Sequence, residues 1–224
     1  MPRLDIWLVE QGYFSSRQTA KRAIRAGHVK VNGNYAKPSK QIKGTESVVV
    51  SMDAPDAPLG YLKLQRIDES LGGIITPGKT ALDIGSSAGG FLMYLAECNV
   101  TAVGVEVSEG FAEPLQKLVN KYPKLSILID DAFTMDPLIV NEEEQLDLLL
   151  IDVTTEPEGT LRLVKRFSPL LIKRGWLIAS FKSNTSSQAI SNICGSVADL
   201  GFTGIRNLVL DKTLQEFHVA AIRQ

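Results

Sequence analysis

Cysteine is scarce in this chain. Only Cys98 and Cys194 occur, far apart, so neither a disulfide scaffold nor a cysteine-based zinc cluster is supported. Long apolar runs are missing too. No stretch of about 20 apolar residues can be found, and the opening Pro2-Arg3-Leu4-Asp5-Ile6 leads into no apolar segment. These absences argue against a membrane span and a secretory leader, and they make the cytoplasm the expected location. Low-complexity tracts and internal repeats are likewise not seen. What is there is a globular composition, 44% hydrophobic and 22% charged over 224 residues. That is enough chain for a small domain joined to a medium one.

The net charge of −1 conceals an asymmetry. Residues 1–50 carry nine basic groups (Arg3, Arg17, Lys21, Arg22, Arg25, Lys30, Lys37, Lys40 and Lys43) against three acids (Asp5, Glu10 and Glu46). The rest of the chain is acidic. A split of this kind points to a basic module that meets a polyanion. A boundary is visible at Ala54-Pro55-Asp56-Ala57-Pro58, where prolines follow a Val48-Val49-Val50 strand. The expected division is a module of residues 1–53, a linker of 54–60 and a domain of 61–224.

The first module reads as α+β. Leu4, Trp7 and Leu8 share a helical face, and Gly12 ends that helix. Ser15 or Ser16 caps a second helix, Arg17 to Ala26, with Ala20, Ala23 and Ile24 inward. Arg17, Lys21 and Arg25 recur every four residues and so form one stripe, flanked by Arg22. A strand over His28–Val31 follows, then an Asn32-Gly33 turn.

The second part alternates strands and helices, the pattern of an α/β fold with a mostly parallel sheet covered on both faces. Strands are expected at Ala81–Ile84, Ala102–Glu106, Ser126–Ile129, Leu148–Ile151, Gly175–Phe181, Ile205–Leu210 and Phe217–Ile222. Helices are expected at Leu62–Ser70, Gly89–Cys98, Phe111–Tyr122, Thr160–Lys173 and Ser187–Leu200. The short connection Asp211–Gln215 predicts that the last two strands pair antiparallel.

The first of these strands runs into Gly85-Ser86-Ser87-Ala88-Gly89-Gly90-Phe91. Glycines here let the chain turn tightly and let a ligand approach the backbone. The spacing matches neither a triphosphate P-loop nor the dinucleotide G-x-G-x-x-G. About 20 residues on, Glu106 ends the second strand, where a carboxylate can accept from both ribose hydroxyls of a nucleoside. Asp131 follows the third strand and can accept from an adenine amino group, or cap the next turn. Loop, acid and Asp131-Ala132 in this order resemble the cofactor face of the class I, Rossmann-like methyltransferases. That resemblance implies the strand order 3-2-1-4-5-7-6 with the seventh strand antiparallel. It also implies that Asp83, Gly85, Ser86, Gly89, Gly90, Phe91, Glu106 and Asp131 hold S-adenosyl-L-methionine.

Four further polar residues stand at strand or helix ends: Lys63, Asp152, Lys182 and Glu216. Read singly, each is a solvated or capping residue. As a set they resemble the Lys-Asp-Lys-Glu tetrad of the FtsJ-like ribose 2′-O-methyltransferases. In the similar fibrillarin pattern a histidine is the fourth member, so His218 competes with Glu216. The resemblance makes Lys182 the base that deprotonates a ribose hydroxyl, with Asp152 orienting it and Lys63 and Glu216 positioning the ribose. A free lysine titrates near about 10.4. Lys182 beside a second ammonium in a partly dry site is therefore expected to be lowered. Asp152-Val153-Thr154-Thr155 lacks the Pro-Pro-aromatic run of base amino-methyltransferases. Cys98 and Cys194 fall on helices, as buried packing residues rather than nucleophiles.

Arg3-Leu4-Asp5, Ser16-Arg17, Ala20, Ile24, Gly27, Val31-Asn32-Gly33 and Lys37-Pro38-Ser39 resemble an S4 domain, a binder of structured RNA. The resemblance assigns Arg3, Arg17, Lys21, Arg22, Arg25, Lys30 and Lys37 to RNA, as phosphate-facing cations. An S4-like module before an FtsJ-like domain resembles the TlyA (hemolysin A) family of ribosomal RNA ribose methyltransferases. Leu59 stands where that family usually has arginine. The implied partner is ribosomal RNA or a ribosomal subunit, with neither metal nor membrane. Transfer RNA as substrate, or an RNA-binding assembly factor with a vestigial methyltransferase fold, are the competing readings.

Overall fold

The computed structural model describes residues 2–10, 13–14, 16–43, 46–50, 59–211 and 215–224. The expected stop at Gly12, the alternative cap Ser15 and most of the expected linker lie outside these residues. The chain divides into two compact units, Met1–Leu62 and Lys63–Gln224.

In the first unit, helices α1 (Leu4–Glu10) and α2 (Arg17–Arg25) precede three short strands, β1 (Val29–Val31), β2 (Asn34–Tyr35) and β3 (Val48–Val50). The strands are antiparallel in the order β2-β1-β3. Ser16 caps α2: its Oγ accepts from the Thr19 N–H at 3.2 Å, and Thr19 Oγ1 accepts from the Ser16 N–H at 3.1 Å. Two otherwise orphaned donors are thereby satisfied. Leu4, Leu8, Phe14, Ala20, Ala23, Ile24, Val29, Val31 and Ile42 close a small core.

The second unit begins within helix α3 (Leu59–Leu71). It continues through β4 (Thr80–Ile84), α4 (Gly90–Glu97), β5 (Thr101–Glu106), α5 (Ala112–Lys121), β6 (Leu125–Ile129), β7 (Leu146–Ile151), α6 (Pro157–Phe167), β8 (Leu171–Phe181), α7 (Ser187–Asp199), β9 (Phe202–Leu208) and β10 (Phe217–Arg223). The sheet order is β6-β5-β4-β7-β8-β10-β9. Counted from β4 as the first strand, this is 3-2-1-4-5-7-6, as the sequence predicts. β10 runs antiparallel to both its neighbours, and the pairs from β6 to β8 are parallel.

Alternation along the strands builds two cores, one on each face of the sheet. In β7, Leu148 and Leu150 join the core under α3 and α4, while Leu149 and Ile151 join the core under α6 and α7. All four are fully buried, and each stabilises the fold by about 1.5–3 kcal/mol. That double coverage is why the strand reads as an unbroken apolar run.

Some expected boundaries move. The helix expected over Thr160–Lys173 stops at Phe167, because Ser168-Pro169-Leu170 forms a short 3₁₀ turn instead. Proline cannot donate to the helix ladder, so Leu170 and Leu171, read as helical, pack as the turn and the start of β8. That strand is then longer than expected and carries a register shift against β7 between Leu146 and Leu148. β9 starts earlier than Ile205, where Thr203 and Gly204 hide the apolar signal. Cys98 and Cys194 are half-buried against the two cores rather than buried. Among the described residues no helix is long and apolar enough to cross a membrane.

Candidate active site

The parallel register that pairs Ile84 with Ile151 brings Gly85 beside Asp152 at the carboxyl edge of the sheet. Gly85 has φ +88, and a Cβ there would lie 2.6 Å from the Asp152 carbonyl oxygen. Any side chain would push the glycine loop away from Asp152. At Gly89, φ is +78 and a Cβ would meet Leu118 Cδ2 at 2.7 Å, so the start of α4 also depends on glycine. Gly90 and Phe91 open α4; the Phe91 ring is buried in the core, leaving only its backbone for a ligand.

The acidic residues around this loop differ in environment. Glu106 Oε2 accepts from the Ser87 N–H and Oε1 from the Ser108 N–H, each at 2.8 Å. The carboxylate is thus fixed while each oxygen keeps a lone pair for a hydroxyl. Asp131 Oδ1 accepts from the Phe133 N–H at 2.9 Å and so does cap its turn. Asp83 is fully buried, and neither carboxyl oxygen has a hydrogen-bond partner. The neighbouring Ser86 hydroxyl donates to the Asp83 carbonyl oxygen at 3.0 Å. Burial pushes the Asp83 carboxyl up to about 7; Ser86 opposes this, and the Asp152 and Glu106 carboxylates add to it. An unpartnered buried carboxyl is costly, and a cationic ligand group is what would satisfy it.

Lys63, Asp152, Lys182 and Glu216 meet in a closed ring of alternating charge. Lys63 Nζ lies 2.7 Å from Asp152 Oδ2 and 2.5 Å from Glu216 Oε1. Lys182 Nζ lies 3.0 Å from Asp152 Oδ1 and also contacts Glu216 Oε2. The β8–β10 register pairs Phe217 with Phe181, so Glu216 stands opposite Lys182. The stacked rings of Phe181 and Phe217, next in the chain to Lys182 and Glu216, are completely buried. Two cations and two anions cancel, which makes partial burial tolerable; side-chain exposures run from 14% to 28%.

The charge state of Lys182 corrects the sequence expectation. Burial works to lower its pKa, but Asp152 and then Glu216 outweigh burial and hold it above its ordinary value. The nearest groups to Lys182 are two carboxylates, not the second ammonium. For Asp152 and Glu216, burial works upward and the two lysines win, holding both below the usual carboxylate range. The ring therefore stabilises the fold through neutral pH. The carboxylates' share is lost as pH falls through their depressed values, and the Lys182 share only above its ordinary value of 10.5.

His218 does not displace Glu216. It sits behind it, almost fully buried, with Nε2 3.4 Å from Glu216 Oε1 and Nδ1 2.9 Å from Ser180 Oγ. Burial first, then the Lys63 charge, lowers its pKa to about 4, so the imidazole is neutral.

Comparison with known proteins decides the family. The FtsJ-like methyltransferase family model matches residues 60–221. The chain belongs to the FtsJ-like methyltransferase family. An S4 domain model matches residues 2–48. A 16S/23S rRNA (cytidine-2′-O)-methyltransferase, TlyA of Mycobacterium tuberculosis, is 33% identical over 129 residues, 56% of this chain and 47% of that protein. Hemolysin A of Brachyspira hyodysenteriae is 30% identical over 142 residues, 63% of this chain and 58% of that protein. The chain thus spans about half the length of these curated relatives. Among solved structures, the fibrillarin pre-rRNA processing protein of Methanococcus jannaschii aligns with a TM-score of 0.61 at 16% identity, covering 87% of this chain and 82% of its own. A solved methyltransferase of Aquifex aeolicus, described as SAM-dependent, shares the fold with a TM-score of 0.56 at 17% identity, covering 75% of this chain and 95% of its own.

Ahead of its catalytic unit, this FtsJ-like methyltransferase carries the expected cations, but not as a free stripe. Asp5 is inaccessible to solvent and gathers Arg3 (3.0 Å), Arg17 (3.3 Å) and Lys21 (3.6 Å). Burial raises the Asp5 carboxyl and the arginines outweigh it, so it stays below the ordinary range. Arg25 and Lys37 are exposed, Arg22 is half-buried, and Lys30 lies 5.3 Å from the centre of the Tyr35 ring. Sequence reasoning missed the roles of Asp5 and Ser180, whose partners come from other elements, and weighed His218 as a rival to Glu216 rather than as its neighbour. Among the described residues no group of His, Cys, Asp and Glu could hold a metal ion.

Proposed function

We propose that this protein transfers a methyl group from S-adenosyl-L-methionine to a ribose 2′-hydroxyl of RNA, with ribosomal RNA as the substrate class. The single observation that carries the reading is the Lys63–Asp152–Lys182–Glu216 ring beside the glycine loop. The TlyA relative's action on 16S/23S rRNA supports the choice of RNA. Residues 61–224 then carry the chemistry, residues 1–53 bind RNA through Arg3, Arg17, Lys21, Arg22, Arg25, Lys30 and Lys37, and the cytoplasm is the place of work.

The residues fit the cofactor. Gly85, Ser86, Gly89, Gly90 and the Phe91 backbone form its cradle, and Glu106 receives ribose hydroxyls. Asp131 keeps Oδ2 for an amino group. Asp83 offers its unpartnered carboxylate to the ammonium of the methionine part. When bound, the cofactor supplies an electrophilic methyl group on a sulfonium.

Lys182 is the base. In the resting protein it is an ammonium held by Asp152 and Glu216. It must lose a proton before it can accept one from the hydroxyl, so the productive form is the minor, neutral amine. Asp152 and Glu216 fix its direction, and Lys63 balances their charge. Neutral His218, with Nε2 3.4 Å from Glu216 Oε1 and Nδ1 sharing a hydrogen bond with the Ser180 hydroxyl, backs Glu216 and limits how far it can turn away. Alignment of hydroxyl and base supplies much of the remaining acceleration.

The test is incubation with labelled cofactor and separated cellular RNAs, followed by mapping of the modified nucleotide. A 2′-O-methyl mark on ribosomal RNA is expected. Lys182→Ala should lose transfer by about 10²- to 10⁴-fold while cofactor binding by calorimetry persists. Normal turnover in that variant would sink the mechanism.

A further inference from the structure

The catalytic unit carries a second cationic feature, away from the ring and the glycine loop. A cleft of about 500 Å³ is lined by Phe133, Pro137, Arg162, Lys165 and Arg166. None of the residues assigned above to cofactor or catalysis lines it. One wall follows the end of β6 and the other is α6, which starts soon after β7 ends. Both walls leave the carboxyl edge of the sheet, and the three basic residues stand on the second half of α6, where it runs back along the sheet.

The spacing on α6 explains the cleft. Leu163, Val164 and Phe167 are buried in the core, so Arg162, Lys165 and Arg166, at i, i+3 and i+4, fall on the other side. Arg162 and Lys165 are exposed. No carboxylate of the described residues lies within 4.0 Å of a nitrogen of these three side chains. Arg166 is half-buried; it donates to the Met135 carbonyl oxygen, and its Nε is buried with no partner. A half-buried guanidinium without a counter-charge is unfavourable unless an anion visits it. Arg162 lies 5.0 Å from the centre of the Phe133 ring, the spacing of a cation on an aromatic face.

We propose that this cleft binds a single-stranded RNA segment, with phosphates on Lys165 and Arg166 and a base on the Phe133–Arg162 pair. The proposal rests on RNA being the substrate. Aromatic stacking beside uncompensated cations is the chemistry that holds single strands without reading their sequence. The cleft would grip a stretch of the RNA outside the methylated nucleotide, independently of the basic first unit.

The experiment is fluorescence anisotropy of the full chain with a labelled single-stranded oligoribonucleotide of about ten nucleotides, titrated between about 50 and 200 mM salt. Arg162→Ala/Lys165→Ala changes two exposed side chains and spares Arg166. Its log K against log salt should be shallower than wild type by about 0.7 for each phosphate that is no longer neutralised. Affinity should fall several-fold, with S-adenosyl-L-methionine binding unchanged. Lys117→Ala, which removes an exposed cation paired with Glu113, is the control and should leave the slope as it is. A slope and affinity unchanged in the double variant overturn the proposal and leave the cleft to a protein partner. The slope needs no methyl transfer. A wild-type protein that methylates no RNA therefore overturns the preceding reading, while the slope still decides this one.

Discussion

Asp5 and the Lys63–Asp152–Lys182–Glu216 ring are both ionic clusters built on carboxylates, one fully buried and two partly covered, but their charge balance differs. Around Asp5, one inaccessible carboxylate holds three cations whose side chains are 35% to 54% exposed. Positive charge is left over and faces water. In the ring, two carboxylates and two lysines cancel, and every member is mostly covered. Surplus charge on exposed arms suits a polyanion, which is bound by displacing counterions. A balanced, covered ring suits chemistry, where a proton must move without a large change in solvation. The same residue types thus serve opposite ends because the acids are counted differently.

The largest expected effect comes from unbalancing the ring. Asp152→Asn leaves two ammonium groups on one carboxylate, Glu216. Methyl transfer should drop by about 10²- to 10⁴-fold in single-turnover assays. The stability loss should be smaller than the roughly 3–5 kcal/mol of a fully buried pair, since the Asp152 side chain is 19% exposed. The pH profile sharpens the point. Lys182 sits above its ordinary 10.5, so the neutral amine is scarce at neutral pH. For the wild type, kcat/KM should climb by up to about tenfold per pH unit between about pH 7 and 9. Without the Asp152 charge the Lys182 pKa falls, and that climb should level off earlier. A wild-type profile flat over this range would rule out Lys182 as the free enzyme's base.

What was legible in the sequence divides along physical lines. Strands of the parallel sheet are visible because burial on both faces makes them apolar without interruption, as in Leu148–Ile151. The glycine loop is visible because Gly85 and Gly89 face neighbours that no other residue fits. Membership of the ring is visible by resemblance, since each member lies at an element's end. Its charge state is not, because that depends on the register that sets Glu216 opposite Lys182. Asp5 reads as an ordinary helical acid until α1 and α2 are brought together. Pro169 was a local signal that a longer helical pattern concealed.

A third kind of carboxyl tests the comparison from outside both clusters. Among the described residues no cation pairs with Asp83, and burial, helped by the Asp152 and Glu106 charges, pushes its carboxyl up to about 7. If the ammonium of the cofactor is its missing partner, binding favours the ionised form. Below pH 7 that binding must first drive off a proton, so affinity should weaken by up to about tenfold per pH unit as pH falls. Calorimetry from about pH 5.5 to 7 should show this slope for the wild type. In Asp83→Asn there is no proton to release, so affinity should be lower and nearly independent of pH. An equal slope in both proteins would remove Asp83 from the cofactor site.

The smallest expected effect distinguishes charge from geometry in the basic unit. Asp5→Asn raises the net charge by one at nearly constant side-chain volume. If the surplus of charge alone governs RNA affinity, binding should tighten. If Asp5 sets the directions of Arg3, Arg17 and Lys21, the freed side chains lose their common orientation and must be ordered by the RNA. Binding should then weaken by about fivefold, about 1 kcal/mol, despite the added positive charge. The salt dependence separates the two cases further, because the number of cations is unchanged and its slope should stay close to that of the wild type. Anisotropy at several salt concentrations, with thermal melting to show that the unit remains folded, measures both. Tighter binding in Asp5→Asn would mean that the cluster is only a reservoir of charge, and that its difference from the Lys63–Asp152–Lys182–Glu216 ring is one of number rather than of arrangement.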